Sequence, residues 1–271
     1  YMEELRLQAP AKLNLHLQVL RSRDDGFHDI SSLFSLIDIS DLLIFRRNEK
    51  SINLIESSPI EDNIVVKAAQ LLKDYSGTNQ GVSIELIKSI PDQKGLGGGS
   101  SDAATTLIGL NRLWELEISN KKLLDLALRL GSDVPFFIFG KTAWAEGRGE
   151  ILREYPYTEK YFLLSFPKLK ISTKEAFNSI SIDNKAQLTE ESYSNDKAFN
   201  SFEAWIRERY PSIDKIFKEL EVIGTPRLSG TGSTIFLEYN SLEKAQIAHK
   251  KFPELVLTKS LDHSPLLQII E

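Results

Sequence analysis

Apolar residues fall on alternate positions through the first part of the chain. Leu5, Leu7, Ala9, Ala11, Leu13, Leu15, Leu17 and Val19 share one parity, and Lys12, Asn14, His16 and Gln18 share the other. A period of two belongs to a strand with one apolar face, so the pattern predicts a strand whose second face is polar. Pro10 cannot donate to a ladder and marks a break or an edge. A polar turn over 21–26 leads to apolar segments over 30–39 and 42–45, and 51–55 offers another short strand.

The period then lengthens. Ile64, Val65, Ala68, Ala69, Leu71 and Leu72 have helical spacing behind Asp62 or Asn63, either of which can cap. Alternation returns over 82–87. After Pro91 comes GLGGGSSDAATTLIGLNRLWEL, a glycine turn opening an apolar-periodic helix, with a second helix over 121–130. SDVPFFIF, from Ser132 to Phe139, reads as a turn leading into a strand, continued by 142–145 before a turn at Gly147 and Gly149.

The remainder predicts a strand over 161–165, polar loops over 185–196 and helices over 199–209 and 212–221. Strand, glycine turn and strand follow over 227–239, then a helix over 241–250 and a last segment over 255–261. No fixed-period repeat stands out, so the order favours an α+β fold over a solenoid. The 271 residues suit two domains. The boundary is expected near Arg153, giving an N-terminal domain over 1–152 and a C-terminal domain over 153–271. Tyr1 before Met2 reads as an added residue ahead of the natural start.

Composition narrows the chemistry. The chain has no cysteine, which removes disulfides, thiolate nucleophiles and cysteine-ligated metals and leads us to expect a reducing, cytoplasmic setting. A formal charge of −5 gives little non-specific pull toward nucleic acid or an anionic membrane. No apolar stretch reaches the roughly 20 residues that span a bilayer, and nothing calls for an obligate protein partner. His16, His28, His249 and His263 show no metal-ligand spacing, so a zinc hydrolase is poorly supported.

The strongest segment is GLGGGSSDAA, from Gly95 to Ala104. A glycine turn lets backbone amides approach anionic oxygens, and the helix N-terminus adds unsatisfied donors and partial positive charge. Ser100 and Ser101 could bind phosphate or simply cap the helix. The segment matches neither GxxxxGK[ST] nor the dinucleotide GxGxxG pattern, so it is not an ordinary ATPase loop. Arg227 with SGTG over 229–232 is either a second anion nest or a tight turn. Lys12 is a solvent-facing strand lysine or a contact to a transferring phosphate. Asp133 either closes an Asx turn or accepts the proton of a substrate alcohol. His28 beside Phe27 can stack on and hydrogen-bond a base or close its turn, and Phe177 alone reads as core.

Taken together, PAKLNL over 10–15, DGFH over 25–28, GLGGGSSDAA, GSDVPFF from Gly131, GRGE from Gly147 and SGTG near the C-terminal end resemble the 4-diphosphocytidyl-2-C-methyl-D-erythritol kinases. These are a branch of the galactokinase, homoserine kinase, mevalonate kinase and phosphomevalonate kinase superfamily. The resemblance spans nearly the whole chain, and the order and separation of the segments are more specific than any one glycine loop.

The resemblance implies an α+β, two-domain small-molecule kinase with a central substrate cleft. It implies transfer of the γ-phosphoryl group of ATP to the 2-hydroxyl of the diphosphocytidyl substrate, with Mg2+ on the phosphates. By the same comparison Lys12 and Asp133 are the catalytic pair. Asn14 and Thr173 orient the substrate, Phe27 and Phe177 sandwich the cytosine, and His28 reads its polar edge. Asn63 and Lys88 lie near the adenosine, and Gly95, Leu96, Gly97, Gly98, Gly99, Ser100 and Ser101 cradle the triphosphate; metal ligands are not assigned. Two departures stand out. Phe27 occupies a position where tyrosine is frequent, and Asp92 to Lys94 replace smaller or glycine-rich residues, placing a charge near the phosphate entrance with altered nucleotide affinity expected. The alternatives are another small-molecule alcohol kinase of the superfamily, or a non-enzymatic nucleotide-binding protein.

Overall fold

The computed structural model describes residues 3–56, 62–182 and 185–270; the expectation about Tyr1 and Met2 lies outside them. In chain order the N-terminal part runs β1 (Glu4–Ser22), β2 (His28–Asn48), β3 (Ile52–Glu56), α1 (Ile64–Ser76), β4 (Gly81–Ile87), α2 (Gly98–Leu113), α3 (Asn120–Leu130), α4 (Val134–Phe139), β5 (Ala143–Glu146) and β6 (Ile151–Glu154). The C-terminal part runs β7 (Tyr161–Ser165), α5 (Thr173–Ser179), α6 (Glu203–Arg209), α7 (Pro211–Leu220), β8 (Arg227–Leu228), β9 (Ile235–Tyr239), α8 (Leu242–His249), β10 (Val256–Lys259) and α9 (Leu267–Ile270). The first part builds a sheet of order β3-β4-β2-β5-β6 with β1 also on β2, and the second a sheet of order β10-β7-β9-β8. The protein is thus an α+β fold of two domains.

The organising element is the β1–β2 hairpin. β1 pairs along nearly the whole of β2, from Glu4 opposite Arg46 to Ser22 opposite His28. The other edge of β2 is divided between β4, at 42–48, and β5, at 32–34. The two apolar segments expected over 30–39 and 42–45 are therefore one strand; Asp38 and Ile39 are absorbed in a register shift against Pro10 and Ala11.

The odd-numbered apolar residues of β1 do not share one face. Leu7, Ala9, Leu17 and Val19 belong to the large core with α1 and α2, whereas Ala11, Leu13 and Leu15 belong to a second core with Ile37, Phe162, Leu164 and Phe236. Register shifts after Pro10 and between Asn14 and His16 bracket the exchange, as bulges do. Nor is the other parity solvated: Lys12, Asn14, His16 and Gln18 are all buried, His16 and Gln18 because residues of the C-terminal domain cover the face that an isolated sheet would leave wet, and Lys12 and Asn14 against β2 and the turn into α2.

SDVPFFIF is not a strand. Residues 134–139 form α4, with Pro135 in its first turn and Gly140 ending it in the left-handed region (φ 71°). Val134 to Ile138 are all buried. An apolar run enclosed on every side carries no period, and the proline start with a glycine stop favours a helical turn. α6 begins at Glu203, later than expected, and Arg153, where the domain boundary was expected, sits inside β6, paired with Trp144 of β5.

The domains are joined through backbone. Gly95 (φ 73°) backs onto Ser229: a Cβ there would stand 2.1 Å from the Ser229 carbonyl oxygen, and one on Gly230 would stand 3.1 Å from Gly95 Cα. Ser229 Oγ donates to Gly95 O (3.0 Å) and accepts from Asn14 N (3.2 Å). The Lys94 ammonium donates to the carbonyls of Pro167 and Leu169 and to Ser233 Oγ. The charge at Asp92–Lys94 is thus tied across the domain seam rather than left as a free cation at the entrance.

Two outcomes follow from this seam and its core. Gly95→Ala should destabilise the protein by about 3 kcal/mol, because strained φ and a backbone clash coincide; Gly99→Ala, with Ile64 3.8 Å away, should keep or gain stability. Equal melting temperatures for the two variants would contradict the close approach. His16 is buried between Trp144 and Phe199 and takes the Phe199 amide on Nδ1 (3.3 Å). Burial lowers its pKa to about 4. The unfolded chain therefore takes up the proton first as pH falls, so His16 contributes stability above about pH 6.5 that is lost toward pH 4. In denaturant titrations the stability difference between the protein and His16→Gln should shrink by roughly 2 to 3 kcal/mol from pH 8 to pH 4.5. A difference independent of pH would contradict a neutral buried ring.

Candidate active site

A cleft of about 750 Å3 opens between the domains, and most of the residues singled out above line it. Its floor is the turn into α2. Gly97 holds the N-cap position in the left-handed region (φ 70°) with no side-chain cap, and a Cβ on it would lie 2.8 Å from the Phe137 ring. Glycine is therefore required by both conformation and space. Lys12 N donates to Leu96 O (2.9 Å) and ties the turn to β1. Gly98, Gly99 and Ser100 open α2 on the cleft, where the first amides of a helix have no intrahelical acceptor. The floor is suited to an anion.

Lys12 and Asp133 meet beside this turn. Lys12 Nζ lies 3.4 Å from Asp133 Oδ2, donates to Asn14 Oδ1 and stands 4.9 Å from the centre of the Phe34 ring. Asn14 is oriented in turn by Ser32 Oγ (3.0 Å). Asp133 precedes α4 without capping it, so its carboxylate is free to face the cleft. It is about a third exposed, whereas the Lys12 side chain is almost wholly buried. A buried ammonium against a partly solvated carboxylate is a compact charged pair able to hold a hydroxyl and its proton.

The far end is aromatic. Phe27 and His28 sit at the tip of the β1–β2 hairpin, in a turn closed by Arg23 N to Phe27 O (2.9 Å). Phe27 is 45% exposed, and the Arg148 guanidinium lies over its ring at 4.3 Å. The His28 ring is 5.0 Å from that of Phe177, and His28 Nε2 pairs with Ser22 Oγ at 3.2 Å. Phe177 is braced by the buried edge of Phe202 (4.8 Å). Thr173 Oγ1 meets Thr231 Oγ1 at 3.3 Å on the opposite wall. α5, which carries Thr173 and Phe177, was not expected from sequence, although Ser172 and Glu175 have the spacing of a capping box and Ser172 Oγ does accept from Glu175 N (3.2 Å).

Three of the expected residues stand outside the cleft lining. Asn63 caps α1 through the Val65 amide (2.9 Å) and donates to Glu56 (3.0 Å); its neighbour Ile64 reaches the cleft instead. Ser101 is fully buried on α2. Lys88 is engaged by Asp41 (2.5 Å) and Asp102 (2.8 Å). Of the second glycine segment, Gly230 and Thr231 line the cleft, whereas Arg227 is spent on Leu15 O and Glu238. Arg148 was visible within GRGE but carried no role until the fold placed it against Phe27.

Among the described residues no group of three or more histidine, cysteine, aspartate or glutamate side chains is arranged to hold a metal. The Asp133 carboxylate and the Ser100 hydroxyl, both on the cleft, nevertheless offer hard oxygens, which suits an ion carried mainly by phosphate oxygens. No helix of the described residues is long and apolar enough to cross a membrane.

The family models for the N-terminal and C-terminal domains of GHMP kinases match residues 63–141 and 173–256. A 4-diphosphocytidyl-2-C-methyl-D-erythritol kinase of Psychromonas ingrahamii is 38% identical over 99% of this chain and 97% of its own. One from Methylococcus capsulatus is 40% identical over 90% and 86%. The crystal structure of a 4-(cytidine 5'-diphospho)-2C-methyl-D-erythritol kinase superposes with a TM-score of 0.82 at 30% identity, covering 94% of this chain and 99% of that one. A homoserine kinase from Cytophaga hutchinsonii (TM-score 0.72, 19% identity, 97% and 96% covered) shares the fold. On the whole-length identity to these relatives, with both domain models matched, this chain belongs to the 4-diphosphocytidyl-2-C-methyl-D-erythritol kinase family of the GHMP kinases.

Proposed function

We propose that this protein transfers the γ-phosphoryl group of ATP to the 2-hydroxyl of 4-diphosphocytidyl-2-C-methyl-D-erythritol, releasing ADP and the 2-phosphate, a step of non-mevalonate isoprenoid synthesis. The observation that carries the reading is the Lys12–Asp133 pair, set in one cleft between the amide-rich turn of α2 and the Phe27–His28–Phe177 group. A phosphate-binding end, a proton acceptor and a base-stacking end are the parts such an acceptor requires.

Asp133 orients the acceptor hydroxyl and takes its proton as the oxygen bonds to the γ-phosphorus. The bond from that phosphorus to the β–γ bridging oxygen breaks, and its electron pair leaves with ADP. Lys12 balances the charge gathered there and holds the Asp133 carboxylate in place. Asn14 and Thr173 position the erythritol hydroxyls and phosphate. The open amides of Gly98, Gly99 and Ser100 receive phosphate oxygens. Phe27 and Phe177 stack the cytosine and His28 pairs with its polar edge, which divides area from discrimination. Mg2+, when bound with ATP, neutralises phosphate charge; Ser100 and Asp133 are the side chains that would help hold it.

ADP formation with product mass should be measured on 4-diphosphocytidyl-2-C-methyl-D-erythritol beside homoserine, galactose, mevalonate and no acceptor. Selective phosphorylation of the first is expected; turnover of another acceptor alone would move the protein to a different branch, and none with ATP bound would point to a non-enzymatic role. Asp133→Asn should retain ATP binding and lose roughly 100- to 10,000-fold in turnover. Phe27→Ala should raise KM for the acceptor by about tenfold or more with little change for ATP. An unchanged acceptor KM would remove Phe27 from base recognition.

A further inference from the structure

Across the domain seam a lysine fills a cage of neutral oxygens. Lys94 stands immediately before Gly95, at the start of the turn into α2, and its half-buried side chain crosses to the C-terminal domain. Its ammonium donates to Pro167 O, to Leu169 O (2.6 Å) and to Ser233 Oγ (3.1 Å). An ammonium has three protons, and here each meets an oxygen that carries no charge. The cage is tightened from within: Ser233 Oγ donates to Leu169 O (2.7 Å), and the Leu169 amide closes a tight turn on Pro167 O (2.7 Å). Ser233 is inaccessible to solvent and Pro167 is buried. Burial lowers the pKa of Lys94, and the charge of Lys170 lowers it further.

Backbone carbonyls and a hydroxyl gathered around one positive charge are the donor set that replaces the water around a free monovalent cation. Here the cation is tethered to the chain. The cage also joins the two segments that wall the acceptor end of the cleft. Leu169 lies shortly before Thr173 at the start of α5, and Ser233 shortly after Thr231; Thr173 Oγ1 and Thr231 Oγ1 meet at 3.3 Å. We infer that Lys94 is a positioning residue for the acceptor: its ammonium, serving as a tethered monovalent cation, holds the turns over 167–169 and 229–234 together and so sets where Thr173 and Phe177 stand in the cleft.

The nucleotide side has ties of its own that do not pass through this ammonium. Thr234 N donates to Lys94 O (3.2 Å), Ser229 Oγ to Gly95 O (3.0 Å) and Lys12 N to Leu96 O (2.9 Å). All three end on main-chain oxygens of the turn and survive a change of side chain at position 94. On the acceptor side the Pro167 and Leu169 carbonyls converge on the ammonium. Without it, two oxygens of like partial charge are drawn toward one point with no cation between them, and the turn that leads into α5 is free to shift. The loss therefore falls on the acceptor and spares the nucleotide.

Lys94 has this part on the reading that α5 meets the diphosphocytidyl acceptor, and turnover of that acceptor by the unaltered protein tests the reading separately. The decisive comparison is Lys94→Ala against the unaltered protein in choline chloride and in ammonium chloride of equal ionic strength at neutral pH, by steady-state kinetics and calorimetric ATP affinity. In choline the variant should show an acceptor KM raised by about tenfold, with ATP affinity changed by less than about twofold. Ammonium ion should enter the emptied cage and return KM to within about threefold of the unaltered protein, whose own KM should not respond to the exchange of salts. An unchanged acceptor KM in choline would mean that the tie positions nothing, a parallel loss of ATP affinity that the ammonium meets phosphate, and a raised KM that ammonium ion leaves in place that the cage does not require a cation; each overturns the inference. Should Lys94→Ala not fold, Lys94→Met, which keeps the length and removes the charge, carries the test through the same split between acceptor KM and ATP affinity. Equal effects on both, or an effect on neither, would overturn the inference.

Discussion

The register shift after Pro10 and the extra residue at Leu15 turn a short stretch of β1 over, and that inversion brings Lys12 and Asn14 to the helix side of the sheet. With unbroken alternation, the side that holds Leu7 and Ala9 would also hold Ala11 and Leu13, and Lys12 would face the second core among Phe162, Leu164 and Phe236. Instead Lys12 lies against Phe34 and the α2 turn. The same inversion supplies Ala11, Leu13 and Leu15 as the surface on which the C-terminal sheet packs. One local irregularity therefore creates both the Lys12–Asp133 pair and the seat of the second domain, and the cleft is what remains between them.

Charge within the cleft is managed by burial and pairing. Lys12 is held by Asp133 and Asn14, and Lys94 by main-chain carbonyls of the opposite domain. Buried ions of this kind add little net stability, because desolvation offsets their attraction; their effect is to fix position. The aromatic end follows different physics, with area and ring geometry replacing charge. The cleft is thus divided between a polar half and an aromatic half that is open to solvent at Phe27, the division on which the proposed recognition of one acceptor rests.

Much of this was legible in the chain. The glycine turn, the cap at Asn63, the helical spacing after it and the strand alternation of β1 each have a local cause, and local causes survive in sequence. So did the order of motifs, which carried the family. What was hidden was set by tertiary contact. The burial of His16 and Gln18 depends on a second domain, and that of Lys12 and Asn14 on a strand inversion, neither of which period alone reveals. α4 was misread because its side chains are enclosed on all sides. The ties of Lys88 to Asp41 and Asp102, 47 and 14 residues away in the chain, were hidden for the same reason. The capping signal at Ser172 was present and would have placed Thr173 and Phe177 on one helix.

The two ends of the cleft are carried by the same hairpin. Phe34, under Lys12, and His28, at the tip, are six steps apart on β2, which at strand rise is no more than about 20 Å. On the proposed reading, the separation between the reacting pair and the base-stacking rings is therefore set in backbone, as a count of residues. The hairpin would then serve as a ruler: on that reading an acceptor is measured along a strand before it is phosphorylated, and a molecule of the right chemistry but the wrong length reaches only one of its two marks.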